Sequence, residues 1–496
     1  MYVGAGLAPL GGVPAGQRAL IVTGSTICWT GDPTAAPRVD EVVDLGSAWL
    51  TPGFVDAHVH ATATGLQADG LDLTGCDSPA QLLAMVRSQA ATSEHQVIFG
   101  AGWDDLTWPE HRRPSAHDLA AAAPGRVVVL VRIDGHSCLV DAVTLSTLDL
   151  ATVGHYVHRD DAGQPSGWLL ESASEIAQVA MRQALTSRQV SSARAATCQR
   201  ALDLGITSFH EMGIPALSDR NDALAWARGD WPVTVHAYWA AMAIDPSGVL
   251  RPGGDLFLDG SIGSCTAANH QPYRSNEDGL VNGSLFHCDE QVGAFFERAT
   301  RLGLGAGVHA IGDSAVDQAV RAIEQAAETC GATAVKAARH RIEHAELASP
   351  TVIARMARLG VVASVQPAFD AVWNGPGGLY ERRFGRQEAD RTNPLAWFRE
   401  AGVDMCFSSD STVTAMDPWG GVLAAQSHHG GLSLDRSTAL DCATLGGNRV
   451  IGVDDEVGAL TPGRRADFVA WPANPLTADP RGWSPVTVVT HGIRRV

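Results

Sequence analysis

Short apolar runs alternate with Ala-, Leu- and Arg-rich stretches of helical character through most of the chain, as in residues 289–301 and 313–329. Strands that alternate with helices form βα units with parallel strands, so the pattern predicts an α/β fold. There are enough such units for a (β/α)8 TIM-like barrel. The eight predicted strands are residues 53–58, 127–132, 206–210, 256–259, 307–310, 341–344, 361–365 and 405–409.

The two ends of the chain have a different pattern, in which short β-rich runs are separated by Gly, Pro and Asp turn signals. These runs are residues 18–23, 41–45, 466–471 and 486–490. We therefore expect residues 1–52 and 457–496 to form one small β-sandwich domain. The barrel would then occupy residues 53–456, with a long insertion at about 62–200.

Composition excludes several classes of protein. Hydrophobic residues make up 45% of the chain and charged residues 18%, so a large core can form and disorder is not expected. The formal net charge of −18 opposes binding to nucleic acid or anionic membranes, which favours a small-molecule substrate. No apolar run is long enough to span a membrane. Nine cysteines without C-x-x-C spacing indicate a cytoplasmic protein, and a homodimer is the default expectation for such an enzyme.

Histidines and an aspartate stand at or just after the ends of four predicted strands. His58 and His60 end the first strand, and residues i and i+2 of a strand point to the same face, so both imidazoles can reach one metal ion. His309, His344 and Asp410 stand at equivalent places on later strands. Barrel enzymes build their sites at the C-terminal ends of several strands, so the five side chains are expected to meet there. One such histidine pair could be structural, but the five together indicate a metal site.

Residues 52–60, Pro-Gly-Phe-Val-Asp-Ala-His-Val-His, resemble the opening motif of the amidohydrolase superfamily. Six further segments are similar to the YtcJ-like branch of that superfamily, which is related to N-substituted formamide deformylases. The likeness extends from about Leu20 to Val496. The six segments are Gly102-Trp-Asp-Asp, Asp134-Gly-His-Ser, Leu258-Asp-Gly-Ser-Ile-Gly-Ser, His309-Ala-Ile-Gly-Asp, His340-Arg-Ile-Glu-His-Ala and Gly463-Arg-Arg-Ala-Asp-Phe.

The resemblance implies a divalent metal ion held by His58 and His60 on the first strand, His309 on the fifth and His344 on the sixth. Asp410 on the eighth strand would touch the metal-bound water. Such ligands suit Zn²⁺, which we favour, while Fe²⁺, Mn²⁺ and Co²⁺ are also compatible. The ion would lower the pKa of its water toward about 7, and Asp410 would pass the proton to the leaving nitrogen. His344 is either a ligand or the group that polarises the substrate carbonyl.

The chain departs from many of its relatives on the fourth strand. Those relatives bridge two metals with a carboxylated lysine there, whereas residues 255–260 of this chain read Asp-Leu-Phe-Leu-Asp-Gly. The only lysine, Lys336, lies just upstream of the sixth strand. A mononuclear zinc site is therefore favoured. The alternative is a bridge from another carboxylate or thiolate, with four candidates: Glu211, Asp255, Asp259 and Cys265.

Other polar residues near strand ends have two readings each. Asp134 and His136 follow the predicted second strand, and the resemblance suggests that they contact substrate, although they could equally stabilise their loop. Asp259 lies in the turn after the fourth strand, where it would contact substrate or cap the turn. Glu211 follows the third strand, and a buried charge there should be paired or bound to metal.

These features favour a hydrolase that uses metal-activated water to cleave a C–N bond in a small amide, N-acyl or N-formyl compound. A metal-dependent deaminase is the alternative enzyme, because the same site serves both reactions. Two further alternatives are a lyase or isomerase and a barrel that only binds a ligand. Asp410 argues against mere binding, since binding needs no proton-transferring acid.

Overall fold

A computed structural model describes residues 1–105, 108–110, 112–132, 137–275 and 279–496. The chain divides into two compact units. The first unit comprises Met1–His60, Cys198–Ile214 and Asp219–Val496, and the second comprises Ala61–Thr197 and Pro215–Ser218. Among the described residues, none of the helices has the length and apolar character needed to cross a membrane.

Two four-stranded parallel sheets lie in the first unit. In each sheet the strands neighbour one another in chain order, so their C-terminal ends share one edge. This arrangement confirms the predicted α/β class. The strands of the first sheet are Phe54–Val59, Ile206–Gly213, Thr234–Trp239 and Arg251–Pro252. Those of the second are Gly307–Ala310, Arg341–His344, Val362–Val365 and Met405–Phe407.

Isolated parallel bridges join the two sheets at both ends. Val59 is paired with Ser411 at one join, and Phe257 is paired with His309 at the other. At the first join the Asp410 amide donates to the His58 carbonyl at 2.9 Å. Each join therefore brings residues at the C-terminal end of one sheet beside those of the other.

The predicted second strand is wrong as a member of this arrangement. Val127–Arg132 is a strand, but it lies in the sheet of the second unit. The prediction missed Thr234–Trp239, which follows Ile206–Gly213 in the first sheet and has an apolar run interrupted by His236. The predicted fourth strand, residues 256–259, has only the isolated bridge at Phe257, and the regular strand lies just before it, at Arg251–Pro252. Ile206–Gly213 is consequently the second strand of the arrangement rather than the third.

Helices follow most of these strands, and the two predicted helices are confirmed as Asp289–Arg301 and Asp313–Cys330. Both helices place a continuous buried face against their neighbours, with charged residues opposite. The remaining helices that lie within the first unit are Arg220–Arg228, Ala332–Ala338, Pro350–Leu359, Pro367–Trp373, Leu379–Phe384, Arg386–Ala389, Leu395–Ala401, Pro418–Gln426, Arg436–Asp441 and Gly447–Val450.

The two ends of the chain share a β-sheet, and a second sheet is formed by N-terminal strands. Leu50 and Phe468 are fully buried in the apolar core of this region. The strands of the shared sheet are Gly6–Leu7, Trp49–Pro52, Phe468–Trp471, Thr487–Thr490 and Ile493–Arg494. Those of the N-terminal sheet are Tyr2–Val3, Ala19–Thr23, Thr26–Gly31 and Val43–Asp44.

The second unit contains a six-stranded mixed sheet with its own apolar core, in which Trp103 and Trp108 are fully buried. Its strands are Leu71–Asp72, Val97–Trp103, Val127–Arg132, Ser137–Val140, Val157–Arg159 and Pro165–Leu170. Its helices are Ala61–Ala68, Pro79–Thr92, Ala116–Ala122, Ala142–Thr147, Glu171–Gln183 and most of Ser187–Asp203.

Candidate metal centre

Three of the predicted residues meet where the first and last strands join. The Nε2 atoms of His58 and His60 each lie 3.3 Å from Oδ1 of Asp410. All three side chains are buried. His58 Nε2 and Asp410 Oδ1 make no well-aligned hydrogen bond within the described part of the chain, although they are close together. The two atoms therefore face the same space without forming a hydrogen bond to each other.

The second pair of predicted histidines lies beside the first. The ring centroids of His309 and His344 are 4.5 Å apart, and His344 lies 5.2 Å from His58. Both residues end neighbouring parallel strands, whose register pairs Ala310 with His344. The fold thus brings together all five of the residues singled out at the strand ends.

A buried carboxylate holds His58 in one orientation. Nδ1 of His58 lies 2.9 Å from Oε2 of Glu343, so the ring donates from Nδ1 and presents Nε2 to the cluster. Glu343 is in turn held by Arg341, whose Nη2 donates to the same oxygen at 2.7 Å. Arg341 is almost completely buried and also donates to the Ala57 carbonyl and to Ser364. Carboxylates that orient histidine in this way are common around metal sites.

The other three histidines also contact a neighbouring oxygen through their second nitrogen. His60 donates from Nδ1 to the Met212 carbonyl at 2.8 Å, and His344 lies with Nδ1 2.9 Å from Oε1 of Gln366. Both therefore present Nε2 to the cluster. His309 is turned the other way, because its Nε2 lies 3.4 Å from the Gly260 carbonyl and its Nδ1 faces the cluster.

Asp255 lies among the four imidazoles. Its Oδ1 is 3.1 Å from His309 Nδ1 and 3.6 Å from His344 Nε2. Its Oδ2 is 3.6 Å from His60 Nε2. Sequence reasoning named Asp255 only as one of four possible bridges, yet no other acidic residue of the described chain approaches as many of these histidines.

The histidines and carboxylates of the cluster shift one another's pKa values toward their charged forms. Burial alone would lower the pKa of His58, but the carboxylates of Asp410, Glu343 and Asp255 raise it well above its ordinary value. Burial would raise the pKa of Asp255, yet hydrogen bonds from His309 and His344 hold that pKa well below its ordinary value. The pKa of Asp410 is lowered in the same way, against burial, by His58 and His60. Both aspartates are therefore ionised at neutral pH.

Two residues of the cluster have an uncommon backbone conformation. His344 has φ of 70° and Asp410 has φ of 52°, in the left-handed region that residues other than glycine rarely adopt. Each such residue costs of order 1–3 kcal/mol and tends to occur at functional sites. One strand ends at His344 and the other ends at Phe407, three residues before Asp410, and both side chains lie in the cluster.

The residues present fit a divalent metal ion. Ligand atoms about 2.1 Å from one tetrahedral ion lie about 3.4 Å apart, which is the spacing found here between imidazole nitrogens and carboxylate oxygens. Three overlapping triads can each supply one ligand atom per residue within 4.8 Å. The triads are His58, His60 and Asp255; His58, His344 and Asp410; and Asp255, His309 and His344.

Asp259, another predicted site residue, lies beside His309. Asp259 is fully buried, and its carboxylate accepts from the amides of Ala268, Ile311 and Gly312 at 2.8–3.0 Å. The carboxylate therefore orders the loops beside His309, as expected of a residue that caps its turn, and the substrate contact of Asp259 stays a prediction.

Glu211 is not part of any of these metal-ligand triads. It alternates along its strand with His210, which contacts Arg341 inside the arrangement, so Glu211 projects from the opposite face. Asp134 and His136 lie outside the described residues.

Sequence reasoning did not find the residues that orient the histidines. Arg341 and Glu343 share one face of a strand that is otherwise buried, and charges in such a strand must be paired. That pattern was the available signal for this pair. Gln366 gave no such signal, because an amide after a strand is common in loops.

Several known proteins are similar to this chain over most of its length. The model of the Amidohydrolase family matches residues 41–492. YtcJ of Bacillus subtilis (strain 168) is 26% identical over 480 residues, covering 90% of this chain and 88% of YtcJ. The N-substituted formamide deformylase of Arthrobacter pascens is 24% identical over 508 residues, covering 92% of this chain and 90% of the deformylase.

A solved structure is also similar over most of the chain. It is an uncharacterized metal-dependent hydrolase from Pyrococcus furiosus, with a TM-score of 0.80 and 25% sequence identity. The similarity covers 96% of this chain and 100% of the other.

Proposed function

Because the chain belongs to the amidohydrolase family, we propose that its cluster of histidines and aspartates is the active site of a metal-dependent hydrolase. The substrate is a small amide, N-acyl or N-formyl compound, in which the enzyme cleaves a C–N bond. The parallel strands form a closed (β/α)8 barrel, and residues 1–52 and 457–496 form the accompanying β domain.

The convergence of five residues at the strand ends carries this proposal. His58, His60, His309, His344 and Asp410 come from four separate strands or the turns after them, yet each meets another of the five within hydrogen-bonding or ring contact. A structural role would not require an ionised aspartate facing the unpartnered nitrogen of a histidine. A metal site requires both.

The four histidines, together with Asp410, would hold Zn²⁺ or a related divalent ion. Bound there, the ion would polarise the substrate carbonyl and lower the pKa of a water molecule. Asp410 is ionised and acceptor-only, so it is suited to take the proton from that water and deliver it to the leaving nitrogen. Glu343 and Gln366 keep His58 and His344 in the orientation that this chemistry needs.

Phe257 forms an apolar wall beside the centre. Its ring lies 4.3 Å from the ring of His309, and the residue is 38% exposed although its neighbours Leu256 and Leu258 are buried. Phe257 is therefore available to contact a substrate near the metal centre. This position favours an apolar substituent on the amide.

The deaminase remains the alternative enzyme, because it would use the same residues and release ammonia. An isomerase or a binding protein would release neither ammonia nor the pair of carboxylate and amine, and a lyase would form an unsaturated product without consuming water. Incubation with a panel of N-formyl and N-acyl amines therefore distinguishes these functions by their products.

The role of Asp410 is tested by Asp410→Asn in zinc-loaded protein. Loss of the proton acceptor should lower kcat by about 10²- to 10⁴-fold while zinc is retained. Asp404→Asn is the matched control, because Asp404 lies just before the same strand, at the end away from the centre, and pairs with Arg449 at the surface. Unchanged kcat in Asp410→Asn would contradict the proposed role of Asp410. If the parent protein releases no carboxylate and amine from any compound of the panel, the proposed function is contradicted.

A further inference from the structure

We propose that His210 is a positioning residue of the metal centre, which acts on His58 through Arg341 and Glu343. The inference rests on the proposed metal-dependent function and adds one residue to the contacts behind His58. His210 is completely buried in the strand Ile206–Gly213. It belongs to none of the metal-ligand triads of the described residues, so any effect on the metal must pass through its neighbours.

The imidazole of His210 accepts a hydrogen bond from Arg341. Its Nδ1 lies 2.9 Å from Nη1 of Arg341, and a guanidinium can only donate. The proton of the neutral ring is therefore on Nε2. Burial and the charge of Arg341 lower the pKa of His210 well below its ordinary value, so the ring is neutral at neutral pH. His210 is thus a neutral acceptor for a buried cation.

This contact supplies an acceptor that one end of the Arg341 guanidinium otherwise lacks. Among the described residues, Nη1 has two acceptors: His210 at 2.9 Å and the Tyr238 hydroxyl at 3.5 Å. The longer contact is too weak to replace a hydrogen bond of normal length. Nη2, at the other end, donates at 2.6–2.7 Å to Glu343, the Ala57 carbonyl and Ser364.

A neutral acceptor leaves the charge of Arg341 to Glu343. Oε2 of Glu343 accepts from Arg341 and also from Nδ1 of His58. A carboxylate at position 210 would compete with Glu343 for the guanidinium, whereas the neutral imidazole does not. Without the imidazole, the guanidinium would lose one of the contacts that fix its plane. Glu343 would then hold His58 less firmly.

The second nitrogen of the ring argues against a role in packing alone. Nε2 of His210 has no hydrogen-bond partner in the described part of the chain, and a buried donor without an acceptor is costly. A leucine side chain would fill similar space without that cost. The cost is offset if Nδ1 is needed as the acceptor for Arg341.

Two substitutions at position 210 separate the acceptor from the volume of the ring. Asparagine can place an amide oxygen where Nδ1 lies, whereas leucine has no acceptor. In competition with a chromophoric chelator, His210→Leu should bind Zn²⁺ about 10-fold more weakly than the parent protein. His210→Asn should bind it as tightly as the parent.

The matched control is His236→Leu. His236 is paired with His210 in the register of the neighbouring strand, and the two ring centroids are 5.5 Å apart. Among the described residues, however, His236 is not an acceptor for Arg341. His236→Leu should therefore keep the zinc affinity of the parent protein, and a loss as large as that of His210→Leu would overturn the proposal.

A role in stability alone is distinguished by measurements on the folded site. The visible absorption of bound Co²⁺ reports the geometry of its ligands, so His210→Leu should change the spectrum of the cobalt-loaded protein and His210→Asn should retain the parent spectrum. A merely structural His210 would lower the urea midpoint of metal-free His210→Leu and leave the zinc affinity and the cobalt spectrum unchanged. That result would overturn the proposal.

A further measurement does not depend on the folding of the leucine variant. In protein that carries isotopically labelled histidine, the ring-nitrogen NMR resonances that disappear in His210→Asn belong to His210. At neutral pH they should show a neutral ring with its proton on Nε2. A proton on Nδ1 would overturn the proposal, since Nδ1 could not then accept from Arg341. Failure of the parent protein to bind zinc, manganese, cobalt or iron would instead overturn the proposed function.

Discussion

Replacement of Glu343 by glutamine should weaken both the fold and the metal site. The Glu343 carboxylate accepts from His58 Nδ1 at 2.9 Å and from Arg341 Nη2 at 2.7 Å, and all three side chains are fully buried. Glutamine keeps the shape but removes the charge, and its NH₂ group then faces a donor. Breaking a buried ion pair on one side costs about 3–5 kcal/mol, because the remaining charge is left uncompensated.

The same substitution should lower metal affinity by about 10- to 100-fold, since His58 loses the group that orients it. Two measurements separate the effects: urea unfolding of the metal-free protein, and zinc affinity from competition with a chromophoric chelator. Glu346→Gln is the matched control. Glu346 is also buried, but its carboxylate accepts from the Tyr380 hydroxyl and has no arginine partner among the described residues, so an amide oxygen can replace it. Equal stability and equal zinc affinity in the parent protein and Glu343→Gln would refute the proposed role of Glu343 as the link between Arg341 and His58.

Three further results are expected. Removal of metal by a chelator should abolish C–N cleavage and added Zn²⁺ should restore it, so product release by the metal-free protein would contradict the proposed chemistry. Burial lowers the pKa of His340 to about 4, while its Nε2 lies 2.8 Å from Thr300 Oγ1. Below pH about 6.5 the unfolded chain takes up a proton that folded His340 excludes, so the free energy of unfolding should fall by about 3 kcal/mol as the pH drops to about 4. Urea unfolding at both pH values should show a smaller fall for His340→Gln, and an equal fall would exclude His340 as its source. Phe257→Ala should lower kcat/KM by about 2- to 10-fold for amides with an aromatic substituent. The same loss for N-methyl and N-aromatic substrates would show that the ring makes no such contact.

Much of the fold follows from patterns that act over short distances. The helices Asp289–Arg301 and Asp313–Cys330 have a strong apolar periodicity, and their observed bounds agree with the predicted ones within a residue. Val127–Arg132 was equally convincing as a strand and is one. Its sheet could not be predicted, because a strand inserted in another unit has the same local pattern as a strand of the main arrangement. Pairing partners are fixed by tertiary contacts.

The candidate site, like the fold, could be predicted only in part from the sequence. Histidines at strand ends are visible in sequence because parallel strands expose their C-terminal ends at one edge. The side-chain direction of Glu211 and the burial of Asp259 were not visible, since each depends on the register of a strand or the path of a loop. Asp255 lay within reach of sequence reasoning, but only the distances to His60, His309 and His344 distinguish it from the other three candidates.

The two places where the sheets join are also the places that supply the ligands. His58 and Asp410 lie at one join and Asp255 and His309 lie beside the other. A bound metal would thus cross-link chain segments that are far apart in sequence. Its binding free energy would therefore also contribute to the free energy of folding. Because the metal would hold the strand ends directly, loops and insertions between the strands can change in length at small entropic cost without separating the sheets. The residues that bind the metal for catalysis would therefore also hold the two sheets together.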